Sequence, residues 1–310
     1  MAEIANTNFP LISIVTVNYN HSDTTIHLIE SLSKITYPNI EIIVVDNASP
    51  NDDPALIKKK FPRIKLIESV INYGFAGGNN LGIMAARGEF VLLLNNDIVV
   101  PVDFLEPLVN KFQKNPEFGA LSPKIHYYYT PNIIQYAGFT EINKWTIRNK
   151  TIGQDEVDTG QYNYDSETAY THGAAMMIPM EVIKKVGLMS YEFFLYYEEA
   201  DWCIRIRNAG YKIGYVSNSV VHHKGSVTTG NNSALKTYYL TRNRLVFMRR
   251  NIHGFSFFIA LLYQLFIALW KNGLVYLISG KRKLAVAYWA GILWNFKNIF
   301  NTEIFNNPRL

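Results

Sequence analysis

Three apolar, largely β-branched runs, each ending on polar side chains, constrain this 310-residue chain more than any other feature. Leu11 to Val17 ends on Asn18-Tyr19-Asn20, Ile40 to Val45 on Asp46-Asn47-Ala48-Ser49, and Phe90 to Leu94 on Asn95-Asn96-Asp97. Continuous apolar runs of this length read as strands covered on both faces. Helical patterns fall between them, from Ser22 to about Ser33 and from Ala76 to Arg87, the second closed by Gly88. A shorter strand falls at Ile64 to Ile67. Strands alternating with helices predict an α/β fold with a mostly parallel, Rossmann-like sheet flanked by helices. In such sheets ligands bind beyond the carboxyl ends of the strands, where Asn18, Asp46 and Asp97 fall. One polar strand end is a turn; three on successive strands make a site.

Asn72 to Asn80, NYGFAGGNN, opens a helix with glycines, so backbone N–H groups can approach a phosphate. It is neither G-x-G-x-x-G nor a Walker motif, which argues against dinucleotide and NTPase chemistry. Asp97 offers hard oxygen to a divalent cation; an Asx turn is the equal alternative. Residues 98–115 give a helix after Pro101. Residues 118–170 read as an irregular, Tyr-rich acceptor side with strand-like pieces at 133–139 and 144–152. Tyr170 to Met177 reads as a buried strand whose Gly173-Ala174-Ala175 lets a ligand come close. A short helix follows at 179–187.

Phe193 to Asp201, FFLYYEEAD, sets Glu198, Glu199 and Asp201 behind an aromatic run, and helical spacing continues through Arg207. A helix N-terminus favours the charged carboxylate, while like charges and aromatic burial push its pKa up. That is how a general base is tuned; a solvated acidic helix start is the plainer alternative. The one cysteine, Cys203, excludes an internal disulfide and fits a reducing compartment. After a strand at Tyr211 to Val216, the pair His222-His223 precedes Lys224-Gly225 and offers a metal ligand or a diphosphate partner. Residues 226–234 read as mobile, and Lys236 to Arg250 as a basic helix.

Charge is unevenly divided. Residues 1–201 hold 15 Lys+Arg against 24 Asp+Glu, a net −9; residues 202–310 hold 15 against one, Glu303, a net +14. The basic third implies an anionic partner. Phe255 to Trp270 carries no charge over sixteen residues, short of the roughly 20 that span a bilayer. Lys271-Asn272-Gly273 interrupts it, and Lys281-Arg282-Lys283 precedes a second apolar segment, Leu284 to Phe296. Such helices suit a membrane interface, ahead of a packed or oligomeric helical pair. The uncharged run argues against nucleic acid. Met1 to Asn8 has neither the basic start nor the apolar run of a signal peptide.

Eight pieces stand in the order of one family: Val17 to Asn20, Val45 to Ser49, Asn72 to Asn80, Leu94 to Asp97, Gly173 to Ala175, Phe193 to Trp202, Val221 to His223 and Arg242 to Arg244. Over about residues 10–250 the chain resembles the family 2 glycosyltransferases of the GT-A fold, in the branch of bacterial rhamnosyl- and galactofuranosyltransferases. The resemblance implies a 1–10 tail, a GT-A domain over 11–250 and a helical membrane-associated or oligomerisation segment over 251–310. Within the domain, 11–97 would be the nucleotide-binding half and 98–250 the acceptor and catalytic half. It implies Glu199 as catalytic base and Asp97 and His223 as ligands of Mg²⁺ or Mn²⁺. It sets Val17, Asn18, Asp46, Asn72, Gly74, Asn79 and Asn96 beside the donor, with Arg242 facing the diphosphate or the acceptor. Three departures stand out: Asn95 replaces the first Asp of D-x-D, Glu199 is one methylene longer than the usual Asp, and His222 rivals His223.

The implied activity is inverting sugar transfer from a nucleoside-diphosphate sugar. dTDP-rhamnose comes first among donors, followed by UDP-galactofuranose, UDP-hexose and GDP-sugars. The implied acceptor is a glycan or a polyprenyl-diphosphate-linked glycan of the cell surface, met in the cytoplasm on the inner face of the membrane. A nucleotide-sugar-binding protein without catalysis is the alternative left by Asn95 and Glu199.

Overall fold

A computed structural model describes residues 9–225 and 233–310. The expected 1–10 tail and mobile loop at 226–234 lie largely outside the described residues.

The four expected strands form one parallel group: β1 (Ile12–Asn18), β2 (Ile40–Asp46), β3 (Lys65–Glu68) and β4 (Phe90–Leu94). Their helices are α1 (Ser22–Leu32), the short α2 (Ala55–Lys60) and α3 (Gly74–Met84). Next come β5 (Ile98–Val99), α4 (Leu105–Lys114), β6 (Phe118–Tyr127), β7 (Thr130–Tyr136), β8 (Ser166–Glu167) and β9 (Ala175–Pro179). The central strand order is β3-β2-β1-β4-β9-β6, followed by β10 (Lys212–His223) and β5. β9 runs antiparallel to both β4 and β6, so the sheet is mixed at its middle. Strand alternation sends Ile14 to one face, with Leu28 of α1 and Leu108 of α4. It sends Val15 to the other face, with Ile83 of α3 and Trp202 of α6 (Glu198–Asn208).

Several expectations are corrected. β6 is a ten-residue strand where an irregular segment was expected; Pro123 and Lys124 disguised it. Pro123 sits at a register shift in β10 between Val216 and Val220, where the missing N–H costs no ladder bond. Residues 144–152 form only isolated bridges, such as Phe139 with Thr151. That same register shift makes β10 one strand rather than two pieces. Gly88 is not a helix cap, since α3 ends at Met84; a Cβ there would come within 2.7 Å of the Leu11 carbonyl. α6 starts at Glu198, which brings all three acids into its first turn.

α5 (Met180–Val186) precedes α6, and the C-terminal part comprises α7 (Ala234–Asn251), α8 (Gly254–Tyr263), α9 (Leu269–Ile278) and α10 (Arg282–Lys297). A π-turn at Gln264–Ala268 fuses α8 and α9 into one 25-residue helix, Gly254–Ile278, with mean hydropathy 1.6. Lys271-Asn272-Gly273 therefore does not interrupt it, and it is long and apolar enough to cross a membrane. α10 packs on α7 where Gly291 meets the Tyr238 carbonyl, and Gly273 of α9 meets Trp289. Part of the basic excess is neutralised within the chain: Arg205 and Arg250 pair with Asp201, Arg207 with Glu141 and Lys212 with Glu167.

Candidate active site

A cleft of about 430 Å³ opens at the carboxyl ends of β1 and β4. Among the residues singled out from sequence, Val17, Asn72, Gly74, Asn79, Asn96, Asp97, Glu199 and His223 line it. Asn18, Asp46 and Arg242 do not. A larger hollow of about 570 Å³ lies at the opposite strand ends, near Phe90 and Phe118, and gathers no comparable cluster of acids and histidines.

The Asn18 and Asp46 side chains are buried against each other behind one wall of the cleft. Asn18 Nδ2 donates to Asp46 Oδ1 at 2.9 Å, and Ser49 donates to the same carboxylate through its N–H and hydroxyl. Asp52 joins from the next turn. Burial opposes its ionisation, but hydrogen bonds from Ser22 and Asn18 outweigh this and hold its carboxyl below the ordinary range. Asn47, which sequence reasoning passed over, bonds the Asn72 side chain and the Gly74 carbonyl, both at 2.9 Å. It ties the end of β2 to the glycine-rich turn. Gly74 has φ +70°, and a Cβ there would lie 2.3 Å from the Phe194 carbonyl. Only glycine satisfies both constraints. Asn79 Nδ2 donates to the Phe75 carbonyl one turn back.

On the other side of the cleft, β5 pairs with the end of β10 and sets His223 opposite Ile98, next to Asp97. His223 Nε2 stands 3.0 Å from Asp97 Oδ1, yet no hydrogen bond joins them, and that nitrogen is enclosed without a partner. His223 Nδ1 is 2.8 Å from Gln135 Oε1. An amide oxygen only accepts, so Nδ1 donates to Gln135, and Nε2 faces the Asp97 carboxylate. An imidazole nitrogen and a carboxylate oxygen 3.0 Å apart on the cleft wall suit a divalent cation of the Mg²⁺ or Mn²⁺ kind. Among the described residues no cluster of three or more His, Cys, Asp or Glu forms, so other ligands would come from substrate and water. His222, on the opposite strand face, does not reach the cleft. His172 lines it, and burial, then His223, depress its pKa to about 3, so it is neutral.

The third wall is the loop before α6. Phe194, Tyr196 and Tyr197 have φ of +60°, +73° and +75°. Such conformations cost non-glycine residues about 1–3 kcal/mol each. Phe194, Leu195 and Tyr196 line the cleft, followed by Glu198 and Glu199. Burial raises the Glu199 carboxyl to about 7, outweighing hydrogen bonds from the first-turn backbone N–H groups. Burial, then the Glu199 charge, drives Glu198 well above the ordinary range. Each keeps an enclosed Oε2 without a partner. Gly173 faces Glu199 and leaves space above its carboxyl group.

Arg242 is buried elsewhere: its guanidinium lies 4.0 Å from the Trp294 ring centre and donates to the Glu192 carbonyl. Lys236, at the start of α7, is the cation that lines the cleft among the described residues. It was read only as part of a basic helix. Gln135 and His172 were also missed; Gln135 comes from the Tyr-rich region and His172 from the run Tyr170 to Met177, and no local pattern marks either.

The Glycosyl transferase family 2 model matches residues 13–187. The low-salt glycan biosynthesis hexosyltransferase Agl10 of Haloferax volcanii is 27% identical over 243 residues, 76% of this chain and 74% of that protein. The N-acetylglucosaminyl-diphospho-decaprenol L-rhamnosyltransferase of Mycobacterium tuberculosis is 23% identical over 247 residues, covering 70% and 78%. Among solved structures, the mannosyltransferase PcManGT of Pyrobaculum calidifontis, in complex with GDP-Man and Mn²⁺, has a TM-score of 0.58 at 17% identity. That match covers 96% of this chain and 89% of the other. GalNAc-T7, with UDP, GalNAc and Mn²⁺, reaches a TM-score of 0.62 at 18% identity, covering 79% and 48%. The fold is what these structures share with the chain.

Proposed function

Because this chain belongs to glycosyl transferase family 2, a family of enzymes using nucleotide-sugar donors, we propose that its cleft carries out inverting transfer with Glu199 as the base. The observation carrying this reading is the Glu199 carboxyl, half-buried at the cleft wall, raised to about 7 and facing Gly173, which carries no side chain. A group titrating near neutrality is suited to general base work.

Glu199 takes the proton from an acceptor hydroxyl as that oxygen forms a bond to the anomeric carbon. The bond from that carbon to the diphosphate oxygen breaks, and its electron pair leaves with the nucleoside diphosphate. Transition-state charge builds on the sugar ring, as in glycoside hydrolysis. Val17, Asn72, Gly74 and Asn79 hold the donor side, with Asn18 and Asp46 bracing the strand ends beneath the base. Lys236 takes the place expected of Arg242 beside the diphosphate. A cation held by Asp97 and His223 would neutralise the leaving diphosphate.

For the donor, dTDP-rhamnose is the first choice, with UDP-galactofuranose, UDP-hexose and GDP-sugars as the next. The rhamnosyltransferase relative, whose name specifies a diphospho-decaprenol-linked acceptor, supports a polyprenyl-diphosphate-linked glycan. The exposed apolar residues Phe255, Phe266, Trp270 and Ile278, with Lys281, Arg282 and Lys283 beside them, support attachment to an anionic membrane face in the cytoplasm. The domain limits set out above, 11–250 for transfer and 251–310 for attachment, belong to the same proposal.

The test is a donor panel. Purified protein with Mg²⁺ or Mn²⁺ meets each nucleotide sugar in turn, and released nucleoside diphosphate is read with and without EDTA. Release from one donor, abolished by EDTA, is the expected outcome. Donor binding by calorimetry without turnover, even with lipid-linked acceptors present, would favour a binding protein instead.

A further inference from the structure

We propose that Asn243 is a positioning residue: it holds the Phe193–Tyr197 loop, and through it Glu199, in the geometry that transfer requires. The proposal rests on the reading of Glu199 as base.

Asn243 lies in the middle of α7, is 0% exposed and does not touch the cleft. Its Nδ2 donates to the carbonyls of Phe193 at 2.7 Å, Leu195 at 2.7 Å and Tyr196 at 2.9 Å. An amide nitrogen has two hydrogens, so three acceptors share them. The amide orientation is fixed by this environment, since its oxygen would repel all three carbonyls. Asn243 Oδ1 is enclosed without a partner, so the side chain is committed to the loop alone.

The loop needs such a partner. Its positive-φ residues turn three carbonyls toward one point, where the Asn243 amide offsets their mutual repulsion; the Phe193 carbonyl also accepts from Leu195 N. The intervening carbonyl, Phe194, points outward and accepts from Phe75 N and Ala76 N at the start of α3. One amide therefore fixes a loop that touches the donor side at α3 and leads directly into Glu198 and Glu199. Neighbours on α7 reinforce it: Arg244 reaches the Tyr197 hydroxyl at 3.2 Å, and Arg242 holds the Glu192 carbonyl.

The experiment compares the full chain with Asn243→Ala in two measurements: amide hydrogen exchange, and the pH profile of kcat/KM for the best donor. Exchange at residues 194–199 is expected to rise about tenfold or more, with β1 and β4 unchanged. kcat is expected to fall roughly 10²-fold, the usual cost of a misplaced base. The acid limb of the profile is expected to move down from near 7, because a relaxed loop admits water to Glu199. Unchanged exchange at 194–199 overturns the proposal. So does a uniform loss of rate with the limb in place and exchange faster throughout, which marks a structural role only. If Asn243→Ala does not accumulate as folded protein, Asn243→Asp, of the same shape, is judged by the same outcomes. A wild-type profile without a limb near 7 counts against Glu199 as base, while the exchange result still decides the role of Asn243.

Discussion

Glu199 and Gly173 face each other across the cleft, and a methyl group built on Gly173 would lie 3.8 Å from the Glu199 carboxyl carbon. That is ordinary van der Waals contact, so the fold accepts Gly173→Ala. Gly173→Val fills the space through which an acceptor hydroxyl must reach the carboxylate. Its kcat/KM for the acceptor should fall about tenfold or more, with Tm within a few degrees of wild type. Equal acceptor kinetics for the valine variant would remove the acceptor from this face.

Glu199→Gln should reduce transfer by roughly 10²–10⁴-fold and yet stabilise the protein above neutral pH. Burial raises the folded-state pKa to about 7, so folding favours the protonated acid. That contribution is fully present below the ordinary glutamate range and is lost as pH rises through 7. At pH 8 the amide variant should be more stable by on the order of 2 kcal/mol in urea unfolding. Transfer retained by a folded variant would falsify the base assignment.

The Gln135 side-chain oxygen anchors the His223 ring at Nδ1, 2.8 Å away. Gln135→Leu removes that anchor and frees the ring to turn away from Asp97. The metal concentration for half-maximal activity should rise roughly 10–100-fold, with saturated kcat close to wild type. Titrating Mn²⁺ into both proteins measures this. An unchanged midpoint would mean that His223 is not a ligand.

Asp201 is buried between Arg205 and Arg250, with Arg250 Nε at 2.7 Å. Burial opposes its ionisation, but the two guanidiniums prevail and hold the carboxyl below its usual range. Asp201→Ala leaves both cations without their partner and should cost about 3–5 kcal/mol in urea unfolding at pH 7. The stabilisation is present above the ordinary aspartate range and is lost as pH falls through the depressed folded value. The gap between the two proteins should therefore close below about pH 4. A constant gap from pH 7 to 3 would contradict the ion-pair account.

Lys281, Arg282 and Lys283 stand at the start of α10, beside the exposed end of α9 at Ile278. Changing all three to Gln should weaken co-sedimentation with phosphatidylglycerol vesicles by about two orders of magnitude, at roughly 1 kcal/mol per charge. Binding to neutral vesicles should not change. Equal loss on both vesicle types would leave the apolar face as the sole attachment.

The parallel strands and their polar ends were legible because each rests on a local pattern. Ile14 and Val15 are apolar because both faces of β1 are covered and the strand ends on Asn18; β4 ends likewise on Asn95 to Asp97. β6 was hidden because Lys124, polar and charged, is buried by pairing with Asp158, 34 residues further on, beside Asn163. No local signal announces that partner. Gln135 was missed because it matters through one contact across the fold, to His223; Asn243 stands in the piece Arg242 to Arg244, but its three bonds to the loop before α6 exist only in the folded chain. Arg242 was misplaced because a basic helix shows its charge but not its facing; Trp294, from α10, decides where the guanidinium goes.

The helix carrying Glu199 is braced by residues far downstream. Arg250 bonds both Asp201 and the Ile304 carbonyl, and Leu188 N bonds the Pro308 carbonyl. A ribosome makes the chain from the other end. The acidic helix leaves the exit tunnel roughly a hundred residues before its last brace does, a delay of about 5–20 seconds at ordinary rates of synthesis. Until then Asp201 lacks its complete set of partners. The Glu199 wall of the cleft is thus among the last parts of the molecule to be secured, and a nascent chain can hold its first parallel strands well before that wall is complete.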